Sequence, residues 1–196
     1  MNQDIGRAIV FSMPVVSAAV SLILISLDTT RSSNTVDRKI HYNMIAVYCL
    51  MILFWSGLVM HSIARDTFIA YLPVFFSSFA FIPVFLYRIT HIITDTGERK
   101  LFPACHFILP ACLTLIICAI ALAVPLRQRW AAIYDNEVNL TSAIIDITFI
   151  VCILLCILYS WLSLLRIKSY KRKIIDYSAD IYRMSLDWLS FIILCR

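Results

Sequence analysis

LTSAIIDITFIVCILLCILYSWLSLL, Leu140 to Leu165, followed directly by RIKSYKRKIIDYSADIYRMSLDW, Arg166 to Trp188, is the stretch whose reading decides the fold. Its first part holds a single charge, Asp146, and exceeds the roughly 20 apolar residues that a helix needs to cross a bilayer core. Its second part carries Arg166, Lys168, Lys171, Arg172, Lys173 and Arg183, six of the chain's 17 lysines and arginines. An apolar run that ends in dense positive charge marks a membrane span leaving the bilayer on the side that retains Lys and Arg.

The remainder of the chain has the same character. Hydrophobic residues make up 61% and charged residues 15%, and mean hydropathy is +0.86, whereas roughly a quarter of an average soluble domain is charged. The expectation is an all-α integral membrane bundle, one domain over residues 1–196, with the lipid bilayer as its first partner. The net charge of +5 sits in short loops between apolar runs, where topology and anionic headgroups account for it, so this segment itself is not expected to bind DNA. Seven cysteines fall in or beside apolar runs without a CxxC pair, and read as small buried hydrophobes.

Taken in order, five full spans are predicted, over residues 8–27, 44–60, 68–87, 104–126 and 140–165. The first, Ala8 to Leu27, is too long for a signal-peptide core and its charged flank is only Arg7 opposed by Asp4. The second contains Gly57, and the third contains Pro73 and Pro83, each of which removes an amide donor and distorts a helix. Pro110 interrupts the fourth, and the segment after it, Arg127 to Asn139, has Trp130 and Tyr134 where an interfacial aromatic belt would be. The basic segment 166–188 precedes a sixth apolar stretch, 189–196, that reads as a truncated span.

Counting charges orients these spans. With the basic segment inside, the inner loops hold Arg31, Arg38, Lys39, Arg88, Arg99, Lys100 and the six residues above, 12 in all, and the outer segments hold Arg7, Arg65, Arg127 and Arg129, 4 in all. Three to one over short loops places the N-terminus outside, with residues 166–188 cytoplasmic.

Catalytic chemistry finds little to build on. Three glycines cannot make a phosphate cradle, and neither HExxH nor GxSxG occurs. His41, His91 and His106 share the inner face, but His91 and His106 are separated by a loop, so no metal site, cofactor or enzyme activity is expected. Asp146 is the informative group. It is either an interfacial carboxylate, or a buried charge paired with Arg65, Arg127 or Arg129; in the second case these residues, with His61, Asp66 and Trp130, would rim an outward-facing pocket for a small-molecule or envelope signal. In the basic segment, Ile167, Tyr170, Ile174, Tyr177, Ile181, Met184 and Trp188 recur at spacings of three and four, one stripe of a helix. That stripe suits a helix lying on the headgroups, or one continuing the fifth span into the cytoplasm to transmit a signal or pair two copies.

Three places carry a family resemblance. Tyr71 to His91 followed by Lys100 to Leu113 resembles the membrane domain of bacterial regulators that bear an AraC-type helix-turn-helix domain at the C-terminus. Phe85, Leu86, Tyr87 and Arg88 match its Tyr-Leu-Tyr-basic span end, and His106, Phe107, Leu109 and Pro110 its His-Phe-Leu-Pro-like start of the next span. Ser185, Leu186, Asp187, Trp188 and Leu189 are similar to its Ser-Leu-x-Trp-Leu start of a sixth span, with Asp187 where a basic residue is more usual. The resemblance implies a seven-helix sensor whose DNA-binding domain follows the last span, so that DNA is a partner only through a domain missing from this chain. A small transporter or channel-like bundle, with Asp146 as its transport residue, is the alternative.

Overall fold

The computed structural model describes residues 2–31, 35–94, 102–135 and 139–177, and these form an all-α bundle. Six α-helices occur among them: α1 (Asn2–Arg31), α2 (Thr35–Ile63), α3 (Arg65–Ile93), α4 (Ile108–Ala123), α5 (Leu126–Tyr134) and α6 (Leu140–Tyr177), with a 3-10 turn (Ala104–Phe107) leading into α4. All but α5 are long and apolar enough to span a membrane, α4 when taken with the 3-10 turn as Ala104–Ala123. Helices satisfy every backbone amide internally, which lipid requires of a spanning segment.

The third helix is the centre of the bundle. Half of its apolar window is buried, against 11% for α1 and α2 and 22% for α4 and α6. Its neighbours are α2, α4 and α6, while α1 packs along α2 and the short α5 touches α3 and α6. The reason lies in its residues: Phe68, Leu72, Phe75, Phe76, Ala80 and Val84 recur mainly at three- and four-residue steps and, with Ile69, Ile82 and Pro83, give one helix a broad buried face of large and small apolar groups. Leu113, Ile117 and Ile120 of α4 and Ile145, Cys152, Leu155 and Tyr159 of α6 close the core against it at the same spacing. Against α2, Phe75 stacks on Phe54 with ring centroids 5.0 Å apart. Gly57 makes that approach possible, since a Cβ there would lie 2.6 Å from Phe75 Cδ2. Outward, Ile150, Ile153, Leu154, Ile157, Leu158, Trp161 and Leu165 of α6 are exposed, as a lipid-facing stripe is.

Five spans were expected and five long apolar helices occur, each reaching past the run that predicted it except α4, which starts at Ile108 and stops at Ala123. Hydropathy registers the hydrocarbon layer only, whereas a helix once nucleated propagates into its polar flanks. The segment Arg127 to Asn139, read as an interfacial stretch with an aromatic belt, carries most of a separate helix, α5, with Pro125 at its N-cap. Of the two placements open for the basic segment, continuation of the preceding span describes residues 166–177, because α6 runs unbroken to Tyr177. Residues 178–188 and the apolar stretch 189–196 lie outside the described residues.

Candidate functional site

Two polar clusters stand at opposite ends of α3. At the α5 end, Arg129 is 6% exposed although charged. Its Nε donates to the carbonyl of Val124 at 3.1 Å and its Nη1 to the carbonyl of Ile69 at 3.2 Å. Both acceptors are orphans. Ile69 lies four residues before Pro73, which has no N–H to give it, and Val124 caps the C-terminus of α4, where carbonyls lack helical donors and a cation is favourable. One guanidinium thus ties α3, α4 and α5 together.

Around it, the Arg65 guanidinium stands 5.2 Å from the Tyr134 ring centroid, and His61 contacts Phe68 and Tyr134 at 5.0 and 5.5 Å. Burial pushes the Tyr134 hydroxyl up from its ordinary pKa; Asp66 adds to the rise and Arg65 opposes it. Beside these groups a cleft of about 320 Å³ is lined by Asp66, Ile69, Leu126, Arg127 and Trp130. Of the seven predicted pocket residues, Asp66, Arg127 and Trp130 line this cleft, while His61, Arg65 and Arg129 form the adjoining cluster.

Asp146 lies elsewhere. Phe79 meets Phe149, Tyr87 meets Tyr159, and Thr94 accepts a 2.7 Å hydrogen bond from Arg166 Nε. This register sets Asp146 level with Phe75, roughly 13 Å along α3 from Asp66 at 1.5 Å per residue. The side chain is exposed on the apolar outer face of α6, and among the described residues it makes no ion pair.

At the other end of α3, residues of the first two stretches that carried the family resemblance converge, while Ser185 to Leu189 lie outside the described residues. Tyr87 packs edge-on against His106 at 5.3 Å and tilted against Tyr159 at 5.6 Å. Phe102 contacts His91 at 5.6 Å and His106 at 5.0 Å, and the Arg88 guanidinium stands 5.9 and 5.8 Å from the Phe102 and Phe107 rings. The Tyr159 hydroxyl lies 3.1 Å from His106 Nδ1 and donates to the carbonyl of His106 at 3.3 Å. That carbonyl is four residues before Pro110, so a second proline-orphaned acceptor is served by a side chain from another helix. A hydroxyl has one proton; given to the carbonyl, it leaves Nδ1–H as the donor to Tyr159 Oη. His41 stands apart, 3.4 Å from Asp28. Among the described residues no group of three or more His, Cys, Asp or Glu side chains is disposed to hold a metal.

Of the predicted signal-transmitting stripe, Ile167 is 2% exposed and packs on Ile93 and Tyr170. Ile174 and Tyr177 fall on the last turns of α6, and Ile181, Met184 and Trp188 lie outside the described residues. Tyr159 and Phe102 are absent from the residues that sequence reasoning singled out. The available signal was the carbonyl left open by Pro110; its partner is set by packing alone. A scan of protein-family models and searches of curated proteins and of solved structures found no match to this chain.

Proposed function

We propose that this chain is the membrane-embedded signal-input module of a one-component transcriptional regulator rather than an enzyme. In this reading α5 and the N-terminus face outward, the Arg166 end faces the cytoplasm of a bacterial cell, and DNA is reached through a domain beyond this segment. The observation that carries it is α6, whose 38 residues extend about 57 Å, well beyond a hydrocarbon layer of about 30 Å. One rigid element therefore runs from the level of the α5 cluster, through Tyr159 in the resemblance-bearing aromatic cluster, to basic turns past the apolar layer. A signal in the α5 cleft, bounded by Asp66, Arg127 and Trp130, favours one packing of α3 against α6, and the stripe from Ile167 carries the bias onward or pairs two copies. The resemblance of Phe85–Arg88 and His106–Pro110 to AraC-type membrane sensors supports the same reading.

The test is a fusion. A DNA-binding domain that acts only when paired is joined after Arg196, and a promoter reporter is read in cells exposed to envelope stresses and small periplasmic solutes. At least one condition changes the output, and Trp130→Ala or Asp66→Asn abolishes that change while membrane levels of the protein hold. Flat output under every condition, with Asp146-dependent solute uptake by proteoliposomes, would establish the transporter instead.

A further inference from the structure

A second concavity lies away from both clusters. A groove of about 620 Å³ runs between α2 and α6 with α3 as its floor, bounded by Met51 and Trp55, by Phe79, and by the α6 face from Ile153 through Ile157 to Leu164. Its volume falls within the range of pockets that hold small ligands, and its lining is almost wholly apolar. Ile157 and Trp161 on its wall are each 61% exposed, so the surface is open rather than filled by side chains.

What favours one occupant is how this wall ends. Ile153, Ile157, Trp161 and Leu164 follow one another at four, four and three residues, one face of a helix, and the next positions on that face are Lys168 and Lys171, with Arg172 at its edge. Lys168 and Arg172 are exposed and make no ion pair among the described residues. They stand about 6 and 12 Å beyond Leu164 along the helix axis. The same helix face is therefore hydrocarbon along the groove and cationic just past it, and Trp161 with its large indole sits at the change, where tryptophan prefers the interface. An acyl chain matches the first part and a phosphate-bearing headgroup the second; basic pockets between spans are known recognition sites for anionic headgroups.

We infer that the α2–α3–α6 groove is a binding site for an anionic phospholipid, one acyl chain lying against Ile153, Ile157 and Phe79 and the phosphate held by Lys168 and Arg172. The lipid fills the side of α6 that the protein leaves open. Its occupancy stiffens the helix on which the proposed signal path depends, but the site stands on the groove and its charges, independently of that path.

The experiment uses the full chain reconstituted in phosphatidylcholine vesicles, with Trp130 and Trp188 replaced by Phe so that Trp55 and Trp161 report on the groove. A small fixed fraction of lipid with brominated acyl chains is added, as phosphatidylglycerol in one series and phosphatidylcholine in the other. Bromine quenches a nearby indole, so the ratio of the two quenching curves reads the preference for the anionic lipid. Each basic residue near a charged headgroup is worth about a five-fold preference, so Lys168→Gln with Arg172→Gln lowers that ratio by about 30-fold. Ile157→Phe, which adds bulk to the groove without adding an indole, lowers the preferential quenching while Lys168 and Arg172 remain. Equal quenching by the two lipids, or a preference untouched by the Lys168 and Arg172 substitutions, overturns the proposal. So does protection of both tryptophans from either lipid, with cross-linking between copies through Cys156, which would make the groove a dimer seam.

Discussion

Arg129 and Pro73 make one device at the scale of single residues. A proline in a spanning helix leaves a carbonyl that lipid cannot solvate, and a buried guanidinium without acceptors is costlier still. Each corrects the other: Nη1 gives Ile69 the donor that position 73 withholds, and Ile69 and Val124 together give the charge two acceptors. Arg129→Ala in detergent should lower unfolding free energy by about 2–4 kcal/mol, because one buried and one partly buried carbonyl lose their donors. In a Pro73→Ala background the amide of residue 73 serves Ile69, so the same truncation should cost about 1–2 kcal/mol less. Additivity of the two changes within about 0.5 kcal/mol would sink this account. Tyr159 and the His106 carbonyl repeat the arrangement at Pro110, with a neutral donor in place of a charged one.

Between elements, the seam of α2 and α3 rests on a missing side chain. Phe75 stacks on Phe54 and packs edge-on against Phe68 and Phe76, so it cannot yield to a Cβ arriving at 2.6 Å from Gly57. Gly57→Ala should therefore destabilise the bundle by about 1–3 kcal/mol through overpacking, measured by thermal unfolding in detergent. Adding Phe75→Leu should return part of that loss, and an unchanged midpoint in Gly57→Ala alone would show that the helices part easily. The sixth helix is the opposite case: its partly buried Arg166 binds Thr94, and Ile167 is covered beside Ile93, so α3 and α6 remain in contact where both leave the apolar layer.

For the molecule as a whole, the asymmetry of Lys and Arg makes a topological prediction. In cells expressing single-cysteine variants, an impermeant maleimide should label Gln128→Cys on α5 from outside, and the exposed Cys105 only after the membrane is opened. The reverse pattern would invert the orientation proposed above and place the Lys168 end outside.

Much of this architecture was legible in the chain. Apolar length and the charge between runs were enough for an all-α membrane bundle of five spans, because a bilayer admits helices of one minimum length and penalises buried charge, and both are properties of sequence intervals. The prolines likewise announced orphaned carbonyls. What the sequence by itself could not determine is which side chain answers each one, since Arg129 and Ile69 are 60 residues apart and Tyr159 and His106 are 53 apart. Arg129 read as a rim cation beside Asp146; the tertiary structure buries it and leaves Asp146 on the outer face, roughly 13 Å lower along α3. Helical periodicity assigns residues to faces, but which faces meet is decided by fit between helices, as the aromatic stack against Gly57 decides it for α2 and α3.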